Sequence, residues 1–268
     1  MYIFLVVIVF LFGLAVGSFA NVVIRRLPKG ESIVLPRSYC PACGKPIAPR
    51  DNIPLLSYFL LRGKCRNCRK AISPRYPLVE GLMALLFVAV FLLASARGEG
   101  IILFPFYWYF AFTMVVLSLI DFEHFILPDV LTYPLLAAGF LLAALCPGRL
   151  GPGGIGPELL RALIGAAVGG GSLWLIGLFG KAAFRKEAMG LGDVKLMAAV
   201  GAWHGWGMAL FAVFLGALAA AIVGLTLIIL KKARWGAKLP FGPYLALGSL
   251  STLFFGRTLI DWYLGLYM

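Results

Sequence analysis

Gly190-Leu191-Gly192-Asp193-Val194-Lys195-Leu196-Met197-Ala198-Ala199-Val200 places a carboxylate at the start of an apolar segment that runs on toward Trp203. Holding an ionisable group at the edge of a lipid-buried helix is costly, roughly 2.5 to 3.5 kcal/mol at the bilayer centre, so an acid in that position marks a functional candidate. Gly190 and Gly192 remove side chains from the backbone before it, which lets another stretch of chain lie close. The plainer account is a glycine-softened helix start with Asp193 capping free backbone N–H groups. Against it stands a second carboxylate at the end of another apolar segment, Asp121 in Val116-Leu117-Ser118-Leu119-Ile120-Asp121. Two acids at the rims of separate membrane helices read as a pair that shares a proton.

The composition agrees with a membrane setting. Of 268 residues, 62% are hydrophobic and 13% charged, which is not a water-soluble balance. The net charge of +13 does not point to nucleic acid, because the cations sit between the apolar runs, where the positive-inside rule accounts for them. Apolar windows of the length that crosses a ~30 Å hydrocarbon core fall near 2–23, 78–96, 101–121, 127–146, 159–180, 206–230 and 241–266, with a shorter one at 191–203. The first is too long and uninterrupted for a cleaved signal peptide and is expected as a retained span. The chain is therefore expected to be an all-α polytopic membrane protein with about eight transmembrane helices. Its expected domains are a first transmembrane helix (1–24), a cytoplasmic metal-binding domain (25–77) and a second membrane domain (78–268).

Orientation follows from Lys and Arg. Twelve of the 24 lie between Arg25 and Arg75, against the two acids Glu31 and Asp51, which places that segment in the cytoplasm. Threading onward puts 97–100, 147–158 and 203–206 outside. Segments 122–127, 181–190 and 231–240 fall inside, with Lys181, Arg185, Lys186, Lys231, Lys232, Arg234 and Lys238. Asp121 and Asp193 then share the cytoplasmic side.

Segment 25–77 holds Cys40-Pro41-Ala42-Cys43 and Cys65-Arg66-Asn67-Cys68, with 21 residues between Cys43 and Cys65. Four thiolates at this spacing close a tetrahedral structural zinc site with no open position. Disulfides are the competing reading, but a cytoplasmic loop is reducing and short of apolar side chains, so metal supplies the missing folding energy. Cys146, at the end of a span, is assigned no role.

Other polar residues have plain accounts beside sharper ones. Glu80, just inside the second span, either snorkels toward local arginines or binds substrate. Pro128 fits the first turn of a helix with Asp129 beside it, which makes Asp129 a cap or a support to the acids. His124 lacks a neighbouring histidine and reads as interfacial. Gly165, Gly169, Gly170 and Gly171 form a small-residue stripe for close helix packing. Lys195 either binds lipid phosphate or holds negative charge near the acids. Pro240-Phe241-Gly242-Pro243-Tyr244 opens the last span with a rigid turn.

Taken together these residues resemble the type IV prepilin peptidases over nearly the whole chain. The resemblance runs through Gly17-Ser18-Phe19 with Asn21-Val22, Glu31-Ser32, Pro36-Arg37-Ser38, Asn52-Ile53-Pro54, Arg62-Gly63-Lys64-Cys65 and Arg75 to Glu80. It continues through Ile120-Asp121 to Asp129, Gly190 to Lys195 and Pro240 to Leu245. It implies that Asp121 and Asp193 are a catalytic pair, with Gly190, Gly192, Asp129 and Lys195 in support. It also implies that Cys40, Cys43, Cys65 and Cys68 bind zinc, and that S-adenosylmethionine is a methyl donor. The implied activity is removal of a short basic leader from type IV prepilins and type II secretion pseudopilins at the cytoplasmic face of the bacterial inner membrane, followed by N-methylation. Lys45 stands where many members have His. The alternatives are a peptidase without methylation and, from another class, a transporter or assembly platform whose acids relay protons. The expected partners are prepilins, pseudopilins and membrane lipid, with no nucleic acid.

Overall fold

The computed structural model describes residues 2–184, 189–232 and 238–265. Arg185, Lys186 and Arg234, counted above among the inside cations, and residue 266 of the last expected span lie outside the described residues. The chain runs through α1 (Tyr2–Arg26), α2 (Leu56–Leu60), α3 (Arg75–Ala96), α4 (Leu103–His124), α5 (Asp129–Leu145), α6 (Ile155–Phe184), α7 (Leu191–Ile229) and α8 (Gly242–Gly265). Among the described residues there is no strand, only two isolated bridges, Tyr39 with Pro46 and Lys64 with Ala71. The helical choice follows from the solvent, since in hydrocarbon a backbone must satisfy its own N–H and C=O groups. Leu163, Trp174, Phe179, Phe214 and Ile222 stand exposed along α6 and α7, as lipid-facing positions require.

The fold class is the expected one: an all-helical, multi-pass membrane protein. Among the described residues five helices are long and apolar enough to cross a membrane, and the apolar α5 is shorter. The expected spans at 191–203 and 206–230 are both present, as two helical runs joined at a break. α7 runs 39 residues and breaks its helical geometry at Gly205, with φ 80 and ψ 170. That backbone is open to glycine and closed to most other residues. Near the break, Arg149 Nη2 donates to the Trp203 carbonyl, and Trp203 Nε1 donates to Leu135 O at 2.8 Å.

Two compact units divide the chain within α4, residues 1–112 and 113–268. In the first, α1 and α3 touch through glycine: a methyl on Gly13 would lie 2.6 Å from Ala84 Cα, and one on Gly17 2.6 Å from Glu80 Cα. Trp108 stacks on Phe87 with ring centres 5.3 Å apart and donates Nε1 to the Phe87 carbonyl.

In the second unit, α6 and α7 lie backbone to backbone. A methyl on Gly165 would meet Gly201 O at 2.1 Å, and one on Gly169 would meet Met197 O at 2.3 Å. The expected glycine stripe is thus a packing seam at Gly165, Gly169 and Gly170, whereas Gly171 faces open space. The loop before α6 is tied by Glu158, which is fully buried and accepts N–H bonds from Gly148 and Leu150 at 3.2 and 2.7 Å.

The seam makes a direct expectation. Gly201→Ala puts a methyl 1.9 Å from Gly165 O, where backbone must move, so it should cost about 3 kcal/mol, the upper end of overpacking. Gly171→Ala meets nothing and should be neutral or stabilising by about 0.5 kcal/mol. Thermal unfolding of the two variants in detergent compares them, and equal behaviour would contradict the seam.

Candidate active site and metal centre

Asp121 lies one turn before the end of α4 and is 6% exposed. Phe125, with φ 57, turns the chain sharply after the helix, and its N–H returns to the Asp121 carbonyl at 2.9 Å. This left-handed turn at a non-glycine residue is strained, and it starts the hairpin that leads to Pro128 and α5. Gly242, the first residue of α8, donates its N–H to Asp121 Oδ2 at 2.8 Å. The first N–H groups of a helix have no partner within it and carry its positive end, so a carboxylate is well placed there. A methyl on Gly242 would lie 2.7 Å from the same oxygen, which explains why this residue has no side chain.

Asp193 is the third residue of α7 and is half-buried. Its carboxylate folds back on Gly190, whose extended backbone caps the helix. Gly192 gives room to the hairpin, since a methyl there would lie 2.9 Å from Leu127 Cβ. The close approach expected of the glycine pair therefore occurs at Gly192 and against Leu127. Asp193 lies within electrostatic range of Asp121, and Gly192 against Leu127 sets the start of α7 beside the hairpin that follows Asp121.

Asp129 and Lys195 stand as a pair of their own. Asp129 is the first residue of α5, with Pro128 at the cap position instead of inside the first turn. Lys195 Nζ lies 2.7 and 2.9 Å from its two carboxylate oxygens and 5.0 Å from the centre of the Tyr133 ring. The lysine is thus engaged by Asp129 and ties the first turn of α5 to the first turns of α7. His124 lies 3.9 Å from Glu123 and is exposed. Gly242 is the residue whose part in the site sequence reasoning missed. The signal was the bracketing by Pro240 and Pro243, which have no N–H and leave few donors at the helix start.

In the first unit, Cys40, Cys43, Cys65 and Cys68 bring their sulfurs within 4.8 Å of one another. Each knuckle closes the same way: Cys40 N–H bonds to Lys45 O and Gly44 N–H to Cys40 O, while Cys65 N–H bonds to Lys70 O and Arg69 N–H to Cys65 O. The fourth residue after each first cysteine has positive φ, Gly44 at 69° and Arg69 at 59°. Burial opposes the Cys40 thiolate, but backbone bonds from Ala42 and Cys43 and bonds from the Cys65 and Cys43 thiols outweigh it and hold Cys40 down to about 7. At Cys68 the Lys70 backbone favours the thiolate, yet burial and the other three cysteines push it up to about 11. Arg66 binds Asp51 with two nitrogens, at 2.7 and 2.8 Å, and holds that carboxyl below its ordinary range.

Comparison with known proteins covers both units. The model of the bacterial peptidase A24 N-terminal domain matches residues 11–94, and that of the type IV leader peptidase family matches residues 108–225. A protein of Aeromonas salmonicida is 40% identical over 282 residues, covering 96% of this chain and 93% of its own length. One from Pseudomonas aeruginosa is 38% identical, covering 95% and 91%. One from Burkholderia pseudomallei is 38% identical, covering 91% and 83%. All three are named prepilin leader peptidase/N-methyltransferase. No solved structure matches the chain significantly.

The ion pair between α5 and α7 has its own test. Asp129→Lys should lower the melting temperature by setting two cations together, and adding Lys195→Asp should recover most of that loss. Calorimetry or differential scanning fluorimetry of the single and swapped variants reads this, and no recovery would mean that the two residues do not face each other.

Proposed function

This chain belongs to the type IV leader peptidase family, and on that premise we propose that Asp121 and Asp193 are the two carboxylates that cut the leader from a prepilin. The observation that carries the reading is their convergence from separate helices, with the α8 N-terminus on one acid and the glycine-bearing start of α7 on the other. Two carboxylates in one site do not both ionise easily, so they hold one proton between them and titrate as a unit. The charged member takes a proton from a bound water as the water oxygen attacks the scissile carbonyl, while the protonated member donates to the carbonyl oxygen. Collapse of the tetrahedral carbon then breaks the C–N bond, and the leaving nitrogen takes up the proton. No Ser or Cys nucleophile is required.

The substrate is a prepilin or pseudopilin whose short basic leader ends in Gly and whose mature part begins with an apolar helix. With that helix in the inner membrane and the leader in the cytoplasm, the cut falls at the cytoplasmic ends of the spans, where the charge asymmetry puts both acids. The name that the relatives share supports a second step on this chain, methylation of the new N-terminal amine, for which S-adenosylmethionine supplies the methyl group. The described residues contain no strand to bear the glycine turn of a Rossmann crevice.

Residues 25–77 form the zinc domain in this reading, between a first transmembrane helix at 1–24 and the protease domain at 78–268. Tetrahedral zinc with Zn–S of about 2.3 Å sets its sulfurs about 3.8 Å apart. Cys40 and Cys68 Sγ lie 3.9 Å apart, which fits. The ion would be structural, with every position filled by thiolate.

Asp121→Asn and Asp193→Asn should each abolish prepilin cleavage in a folded protein, and the double variant should be no worse than either single one, because the acids act as a unit. Asp129→Asn should keep measurable activity. Mass spectrometry of a prepilin incubated with each variant and S-adenosylmethionine separates cleavage from methylation. Near wild-type cleavage by Asp121→Asn, with none by Asp129→Asn, would replace the proposed first carboxylate. No cleavage by the wild-type protein would point instead to a platform with no such chemistry, and cleavage surviving both neutralisations would remove the acids from the reaction.

Protein purified without chelator should carry about one zinc per chain. Uptake requires thiolates, so affinity should rise with pH, and the rise should lose one proton of steepness as pH passes about 7, where Cys40 is already ionised while Cys68 is not. Competition against a chelator across that range measures the slope, and a pH-independent affinity would rule out a thiolate site.

A further inference from the structure

The end of α1 at Arg26 and the start of α3 at Arg75 lie side by side, with Asn21 Nδ2 donating to Tyr76 O at 3.1 Å, and a buried contact sets the level of what lies between them. Glu80, the sixth residue of α3, is 8% exposed, and its Oε2 accepts the N–H of Leu55 at 2.8 Å. Leu55 adopts φ 59 and ψ −54, and the N–H of Leu56 returns to Pro54 O at 2.6 Å, which makes a strained γ-turn. Ser57 closes the turn, accepting from Ile53 N–H at 2.9 Å and donating to Arg50 O at 3.1 Å. The start of α2 is therefore pinned beside the second turn of α3, where the apolar run of that membrane helix has already begun at Leu78.

At this level α2 turns an apolar face outward. Leu56, Phe59 and Leu60, spaced as one helix face, are 50%, 69% and 70% exposed, and Leu78 of α3 is 68% exposed. Exposed side chains of this size at the height of a membrane boundary ask for a covering partner. Charge says which one. Between Arg25 and Arg75 twelve cations face two acids, and one of those, Asp51, is taken by Arg66. Exposed Arg62 and Lys64 follow α2 directly. A short apolar face with cations beside it matches the headgroup boundary of an anionic bilayer.

We propose that α2 is a surface anchor, with Leu56, Phe59 and Leu60 entering the headgroup boundary of an anionic membrane and Arg62 and Lys64 meeting lipid phosphates. The anchor, the γ-turn and Glu80 together fix the four-cysteine segment against the membrane.

The full-length protein with p-benzoylphenylalanine at position 59 tests this, since one aromatic replaces another on an exposed site. It is reconstituted in nanodiscs of phosphatidylcholine alone or with phosphatidylglycerol, irradiated, and analysed by mass spectrometry. Lipid adducts should form at position 59 and rise about threefold with phosphatidylglycerol, and Arg62→Gln with Lys64→Gln should remove that rise while adducts in the neutral disc persist. As a second reading, Leu60→Asp should speed amide exchange of residues 53–64 in the anionic disc. Equal lipid labelling in both compositions, cross-linking of two chains, capture of added prepilin in place of lipid, or no adduct in either disc would each overturn the proposal.

Discussion

The contact of two glycine backbones, Gly165 on α6 and Gly201 on α7, sets the spacing on which the second unit depends. In lipid there is little hydrophobic drive to bring helices together, so close packing of small residues has to do it. At a separation where a single methyl would strike a carbonyl oxygen, α7 is held along the stretch that follows Asp193. Its first turn is then placed by two more contacts, Gly192 against Leu127 and Lys195 against Asp129. Each removes a freedom that would otherwise let the proposed dyad drift.

The acid on the other helix is held by a different device. The Asp121 carboxylate meets the N–H of Gly242, a donor that α8 cannot use internally. One carboxylate is thus positioned by a helix beginning and the other lies within a helix beginning. Glycine recurs at each point because a side chain would occupy the space that the carboxylate or the hairpin needs. In the first unit the same logic runs at Gly17, whose bare Cα lets α1 approach α3 at Glu80. Glu80 in turn accepts the backbone N–H of Leu55, a structural bond that the sequence did not announce.

Much of this was legible from residues. The apolar windows announced membrane helices, and the Cys-x-x-Cys spacing announced a cluster of thiols, because both signals are local. Gly-x-Gly-Asp and Ile120-Asp121 suggested one site through the cost of charge in lipid and the side on which the charge asymmetry puts each acid. The division of 191–230 was readable too, since the Trp-His-Gly-Trp stretch between the two apolar windows reads as a turn, and Gly205 breaks the helical geometry there. Lys195 was seen as a cation near the acids, and its partner was invisible because Asp129 lies 66 residues away.

The sequence by itself determined that this chain lives in a membrane as helices, that four thiols gather in the segment after the first span, and that Asp121 and Asp193 are the acids to watch. These rest on composition, periodicity and short spacings, which act over a few residues and need no partner to be read. The tertiary structure alone decided which donor meets Asp121, which glycines are seams and which, like Gly171, are bare, and that Glu80 ends on Leu55. Those outcomes depend on which backbones come within a methyl's width of each other, and that distance is set by the packing of whole helices.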